Sequence, residues 1–184
     1  RDTAYVESDA PSTVNVYGRS KADAERRVLE IHPAALVIRT AAFFGPWDEH
    51  NFVTLALRAL REGRECAAAD DATVSPAYVP DLVNAALDLL IDGEVGVWHL
   101  ANGGAVTWAE LARRAADVAG VDASALRPVA TAELHLPAPR PLYTALASER
   151  GWPMPSLDDA LARYVAERWA PPARRRRRAA AAAG

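Results

Sequence analysis

The run VNVYGRSKADAERRVLEIHPAALVIR, residues 14–39, carries two patterns back to back. Val16, Ala24, Val28 and Ile31 recur at spacings that share one face of a helix. Pro33 stops that helix, because proline lacks an N–H and its ring clashes with the preceding turn. Ala34–Arg39 is then short and nearly all apolar, the pattern of a strand covered on both faces, as in parallel sheets. A helix running into a buried strand is half of an α/β unit, and the expected fold class is α/β.

The alternation continues on both sides. Residues 1–13 read as a loop. Gly45–Pro46 closes the strand segment, and Asn51–Glu62 forms a second amphipathic helix ended by Gly63. A strand is expected at Glu65–Ala69, followed by a loop holding Pro76. Pro80 occupies a favoured first-turn position of a helix that runs to about Ile91 and exits through Asp92–Gly93. Val95–Leu100 reads as another buried strand. Thr107 and Glu110 form a capping-box pattern for a helix reaching Gly120. Residues 121–150 are proline-rich, with a strand expected at Leu126–Ala130, and Ser156 with Asp158 and Asp159 opens a last helix to about Trp169.

Composition narrows the function classes. Of the 184 residues 51% are hydrophobic, enough for a sizeable core, and a net charge of −3 points to no particular partner. A single cysteine, Cys66, cannot build a disulfide framework or a multi-cysteine metal site, and it fits a reducing, cytoplasmic setting. No apolar run approaches the ~20 residues of a membrane helix, and no signal-peptide pattern opens the chain. His32, His50, His99 and His135 show no metal spacing, so no metal is expected. Arg174–Arg178 lack aromatic interleaving or a recognition fold, so residues 171–184 are expected to be a disordered tail and not a specific nucleic-acid site.

Tyr17-Gly18-Arg19-Ser20-Lys21 is the segment with chemistry in it. Residues four apart project from one helix face, so Tyr17 and Lys21 can address one pocket. A nearby ammonium favours the phenolate and draws the phenol's pKa down from its ordinary value near 10. Such a tyrosine can give a proton to a carbonyl oxygen, or take one from an alcohol. Lys21 is the only lysine beside twenty arginines. A compact ammonium that also hydrogen-bonds a cofactor ribose is a role that planar arginine fills poorly. The pentapeptide alone is a weak signal, and its surroundings add more.

Those surroundings resemble the dTDP-4-dehydrorhamnose reductase family of extended short-chain dehydrogenases. The likeness runs in order through Tyr5-Val6-Glu7-Ser8-Asp9 and Asn15–Lys21, then Val37-Ile38-Arg39-Thr40, Phe44-Gly45-Pro46 and Asn51-Phe52-Val53. It continues through Ser75–Leu82, Gly96–Ala101 and Arg140-Pro141-Leu142-Tyr143-Thr144, spanning about residues 3–168. The resemblance implies reduction of a 4-keto nucleotide-sugar with NADP or NAD. It implies Tyr17 as proton donor, and Tyr17, Lys21 and Thr40 on the cofactor. Arg39, Asn51 and Arg140 are candidate substrate contacts: an arginine at a strand end and an asparagine at a helix start serve structural roles as readily, while the prolines beside Arg140 would fix its fork for a diphosphate. The expected architecture is the C-terminal part of a Rossmann-like core in residues 1–62, a small α+β substrate-binding region in 63–170, and the tail.

Departures from the family pattern shape the expectations. None of the ten glycines makes a dinucleotide fingerprint after a strand, so the chain is expected to be a piece of something longer and inactive alone. The family's upstream serine or threonine lies farther back than the residues before Tyr17 reach. Its sugar-side aromatic is Ala42 here, and its Asp-Gln and Pro-Thr pairs become Asp71-Ala72 and Pro76-Ala77. A noncatalytic binding or regulatory module of the same family stays open, as do a nucleotide-sugar epimerase or dehydratase and a homodimeric assembly.

Overall fold

The computed structural model describes residues 3–151 and 154–169. The tail expected in residues 171–184 lies outside them.

The opening unit forms as its sequence dictates. α1 spans Val16–Ile31 and ends at His32, one residue before Pro33. β1, Leu36–Arg39, pairs in parallel with β6, Gly96–His99, with Ile38 opposite Trp98. Side chains alternate across a strand. Leu36 and Ile38 point to α3, Val79–Ile91, and pack near Ala85, Leu89, Trp98, Leu100 and Met154. Arg39 points the other way and meets Glu25 of α1. The strand pair therefore lies between α1 and α3. The free edge of β6 is covered by Arg150, whose Nη1 donates to Val95 O and Val97 O while its guanidinium lies 4.1 Å from the Trp98 ring centre. A cation seated on edge carbonyls keeps that edge from recruiting another strand.

The strand of this unit departs from its expected burial, and the helix beside it is bare. The shared face of α1 is not covered: among the described residues α1 buries no side chain, and Ile31 is 85% exposed. β1, read as buried on both faces, is only half-buried at all four positions, and its second edge has no partner strand among the described residues.

The larger core lies elsewhere. α2 (Phe52–Arg61), α4 (Trp108–Ala119) and α5 (Leu157–Trp169) enclose Leu57, Leu60, Leu111, Leu161 and Tyr164, together with Phe44 and Tyr78. Ala109, Ala112, Ala115 and Ala116 make one face of α4 small enough for close helix approach. Phe44 and Tyr78 come from a two-residue parallel pair, β2 (Phe43–Phe44) with β5 (Ala77–Tyr78). β3 (Cys66–Ala69) pairs with β8 (Leu126–Val129), and β4 (Thr73–Val74) lies between β7 (Val106–Thr107) and β9 (Tyr143–Thr144). The helices fall where periodicity and caps put them. The two-residue strands escape the sequence reading because so short a run has no period. No helix among the described residues is long and apolar enough to cross a membrane.

Candidate active site

α1 begins under tight local control. Asn15 is extended, and its Oδ1 accepts the Gly18 N–H at 2.8 Å. That bond satisfies a donor the helix would otherwise leave free. A Cβ on Gly18 would come within 3.2 Å of Thr13 Cβ, so glycine lets the incoming loop lie against the first turn. Tyr17 is thereby held in that turn with its ring 68% exposed. Lys21 lies on the same face, its Nζ 5.5 Å from the centre of the Tyr17 ring. The phenol and the ammonium thus share an open surface, as their spacing requires. Buried Tyr78 offers a contrast: burial pushes its phenol up to about 12 and keeps it protonated.

The loop before α1 is fixed by a second segment, residues 139–149. Tyr5 exchanges backbone bonds with Ala145 and Ala147, both 2.8 Å. The Glu7 carboxylate accepts from Ser148 Oγ at 2.6 Å and from the N–H groups of His99 and Glu149, each at 2.9 Å. Burial works against this charge, but the three donors outweigh it and hold the carboxyl below its ordinary value. Glu149 returns the contact by accepting from Ser8 N and Ser8 Oγ. Farther along, Asn15 Nδ2 donates to Pro139 O at 2.9 Å. A cleft of about 450 Å³ opens between residues 9–14 and 141–146, with Arg39, His99, Tyr5 and Tyr143 in its walls. Tyr17 and Lys21 do not line it.

The other expected site residues divide. Thr40 lies just past β1, and its Oγ1 is buried without a hydrogen-bond partner among the described residues, a costly state for a polar atom. Arg140 is exposed between two prolines, and its side chain makes no ion pair or hydrogen bond among the described residues. Arg39 and Asn51 are different. Arg39 gives Nε and Nη2 to Glu25 at 2.9 and 2.6 Å, while its Nη1 reaches Glu7 O, Asp9 O and His99 Nε2. Its hydrogen bonds to Glu25 raise its pKa, and its charge is met inside the fold. Asn51 is 6% exposed, caps α2 through the Thr54 N–H, and donates to Gly45 O, Asp48 O and Thr54 Oγ1. Both side chains make internal ties, the structural role open to each from its sequence position, and Arg39 still stands in the wall of the cleft.

Sequence reasoning missed the part played by Glu7, and read His99 only as a structural histidine without locating it at this seam. His99 is buried, with Nδ1 between Tyr5 O and Ala147 O, so it stitches the same seam. Only the occurrence of Glu7 and His99 in the matching blocks could have marked them. Ala42, at the position of the missing aromatic, has φ 47°, and the next residue, Phe43, is 53% exposed. The backbone there takes a left-handed turn uncommon for a residue with a side chain. No group of three or more potential metal ligands occurs among the described residues.

The family model described as the RmlD substrate binding domain matches residues 1–167. The dTDP-4-dehydrorhamnose reductase of Mycolicibacterium smegmatis is 37% identical over 151 residues, 82% of this chain and 46% of that protein. The Mycobacterium tuberculosis protein of the same name is 38% identical over 154 residues, 83% of this chain and 50% of its own length. A crystal structure of dTDP-4-dehydrorhamnose reductase from Bacillus anthracis, in complex with NADP, matches with a TM-score of 0.83 at 30% identity, covering 89% of this chain and 59% of that one. The chain spans about half the length of the curated relatives it matches. A model accounting for residues 1–167 places the chain in the RmlD substrate-binding-domain family.

Proposed function

We propose that this chain is the substrate side of a cytoplasmic reductase that converts a 4-keto group on a nucleotide-linked deoxysugar to an alcohol. The observation that carries the reading is the exposed Tyr17 ring with the Lys21 ammonium 5.5 Å from its centre. Tyr17 gives its proton to the carbonyl oxygen, and Lys21 stabilises the phenolate that results. A bound nicotinamide dinucleotide, NADP or NAD, supplies the hydride. Lys21 and the orphaned Thr40 Oγ1 are the groups of this chain that would hold it. The NADP complex of the Bacillus anthracis relative supports that choice of cofactor.

The same reading accounts for the bare face of α1 and the unpaired edge of β1. Parallel strands are stable when both faces and edges are covered. A Gly-rich nucleotide-binding unit in the longer protein would continue the sheet from β1 and pack on α1. On this division β1, β6, α1 and α3 belong to the nucleotide-binding core, while α2, α4, α5 and the short strands form the substrate region. Without that unit the chain has no pyrophosphate site and should not turn over.

The test uses the full-length protein with dTDP-4-dehydrorhamnose, following loss of reduced nicotinamide absorbance. Tyr17→Phe should lower turnover by at least ~100-fold while NADPH still binds. Undiminished turnover by that variant would remove Tyr17 from its role, and no turnover of any 4-keto nucleotide sugar by the wild type would defeat the assignment.

A further inference from the structure

Asn15 has two jobs in one amide. Its Oδ1 takes the Gly18 N–H and starts the helix that carries Tyr17. Its Nδ2 reaches across to Pro139 O, next to Arg140 in the chain. Consecutive Cα atoms are ~3.8 Å apart, so Tyr17 and Arg140 are anchored only two residues and one residue from the ends of a single hydrogen bond. We propose that Asn15 is a positioning residue that fixes Arg140 relative to the Tyr17 hydroxyl, so that a nucleoside diphosphate is held at Arg140 while the sugar it carries meets Tyr17. The inference rests on the reductase reading for the role of Tyr17, but not for the tie itself.

Three observations support the assignment. Arg140 is not matched inside the fold, a state it shares with the exposed Arg19 and Arg27 of α1. Arg39, Arg114, Arg150 and Arg163 each meet a carboxylate of this chain, whereas Arg140 is exposed with its guanidinium unengaged among the described residues. An unmatched fork is suited to two phosphate oxygens. The segment is also pre-shaped, since Pro139 and Pro141 limit the backbone on both sides of Arg140. Finally, residues 139–149 are pinned to the approach of α1 at both ends, by Asn15 at Pro139 and by Glu7 at Ser148 and Glu149. Arg140 is therefore located by the helix start and not by a free loop.

The amide is chemically required. Capping needs an acceptor, and the tie to a carbonyl needs a donor. Asn15→Asp keeps the cap and loses the donor. Asn15→Ser also keeps a good cap, adds no charge, and lacks the second arm. Both variants should retain the wild-type thermal midpoint within a few degrees.

The experiment uses the full-length protein, with dTDP-4-dehydrorhamnose in steady-state kinetics and dTDP alone in calorimetry. Both variants should raise KM about tenfold with kcat within about threefold, and both should weaken dTDP binding about tenfold. If Asn15→Asp alone does so, the cause is its charge, and the tie is refuted. A fall in kcat at unchanged KM, or losses that track the thermal midpoint, also refutes it. Weakened dTDP binding by both variants of a wild type that reduces no 4-keto sugar would sink the reductase reading and leave the tie standing. Normal wild-type turnover with unchanged KM and dTDP affinity in both variants would do the reverse. A wild type that neither turns over nor binds dTDP sinks both.

Discussion

Replacing Glu7 with glutamine is the sharpest probe of the seam beside Tyr17. The carboxylate accepts from three donors, the Ser148 hydroxyl and the His99 and Glu149 N–H groups. Glutamine matches its shape but turns one oxygen into an NH2. If that group replaces Oε2 it faces the Glu149 N–H; if it replaces Oε1 it faces the His99 N–H and Ser148 Oγ. At least one donor is left opposed in either case, because the Ser148 hydroxyl can turn to accept but a backbone N–H cannot. Hydrogen bonds to charged groups contribute about 1.5–3 kcal/mol each, and the partial exposure of Glu7 lowers the expected loss to about 1–2 kcal/mol. Thermal unfolding of the full-length protein should register this as a midpoint lower by a few degrees at neutral pH. The pH dependence gives the sign. The folded pKa of Glu7 lies below its unfolded value, so its contribution is full above the unfolded carboxylate value and is lost as pH falls through the folded one. The gap between wild type and Glu7→Gln should therefore be widest at neutral pH and close under acid conditions. A gap that stays constant on acidification, or none at neutral pH, would refute the claim that three donors hold a charge at this seam.

Two further outcomes follow from the larger core. Asp81 is buried and takes both arms of Arg163 at 2.7 Å while accepting from Asn102 Nδ2 at 2.8 Å, so Asp81→Asn should cost about 2 kcal/mol in denaturant unfolding. That is less than a fully buried pair would lose, because Arg163 is partly exposed and keeps Asp159. Thr107→Ala removes the acceptor for the Glu110 N–H at the start of α4 and should cost about 1 kcal/mol by the same measurement, with KM and kcat unchanged.

The sequence made some features legible and hid others for a physical reason. α1, α2, α4 and α5 are visible because caps and periodicity are local: Asn15, Asn51, Thr107 and Ser156 each sit within three residues of the N–H they satisfy. The pairing of Tyr17 with Lys21 is visible for the same reason, since one helical turn fixes it. Even the capping box was half right, because Thr107 accepts the Glu110 N–H while the Glu110 carboxylate turns to Arg113 and Arg114. Arg39 and Asn51 show the limit of reasoning from residue type. An arginine at a strand end and an asparagine at a helix start offer suitable groups, but only the folded arrangement reveals that Glu25 and the Gly45–Asp48 turn have already taken them.

The seam that positions the site belongs to the hidden class. Glu7 and Ser148 are 141 residues apart, as are Ser8 and Glu149, and Asn15 is 124 from Pro139. No window of sequence contains both members of any of these pairs. Each half looks like an ordinary loop, one polar and one rich in proline. Brought together, they hold the start of α1 against a segment carrying an unmatched arginine. Two loops bonded this way confine Tyr17 and Arg140 without a regular element between them, which is how a site can be rigid where the chain has little secondary structure. It follows that changes along residues 139–149 should affect substrate binding beside Tyr17 more than their distance in sequence suggests, while the chemical step stays with the tyrosine itself.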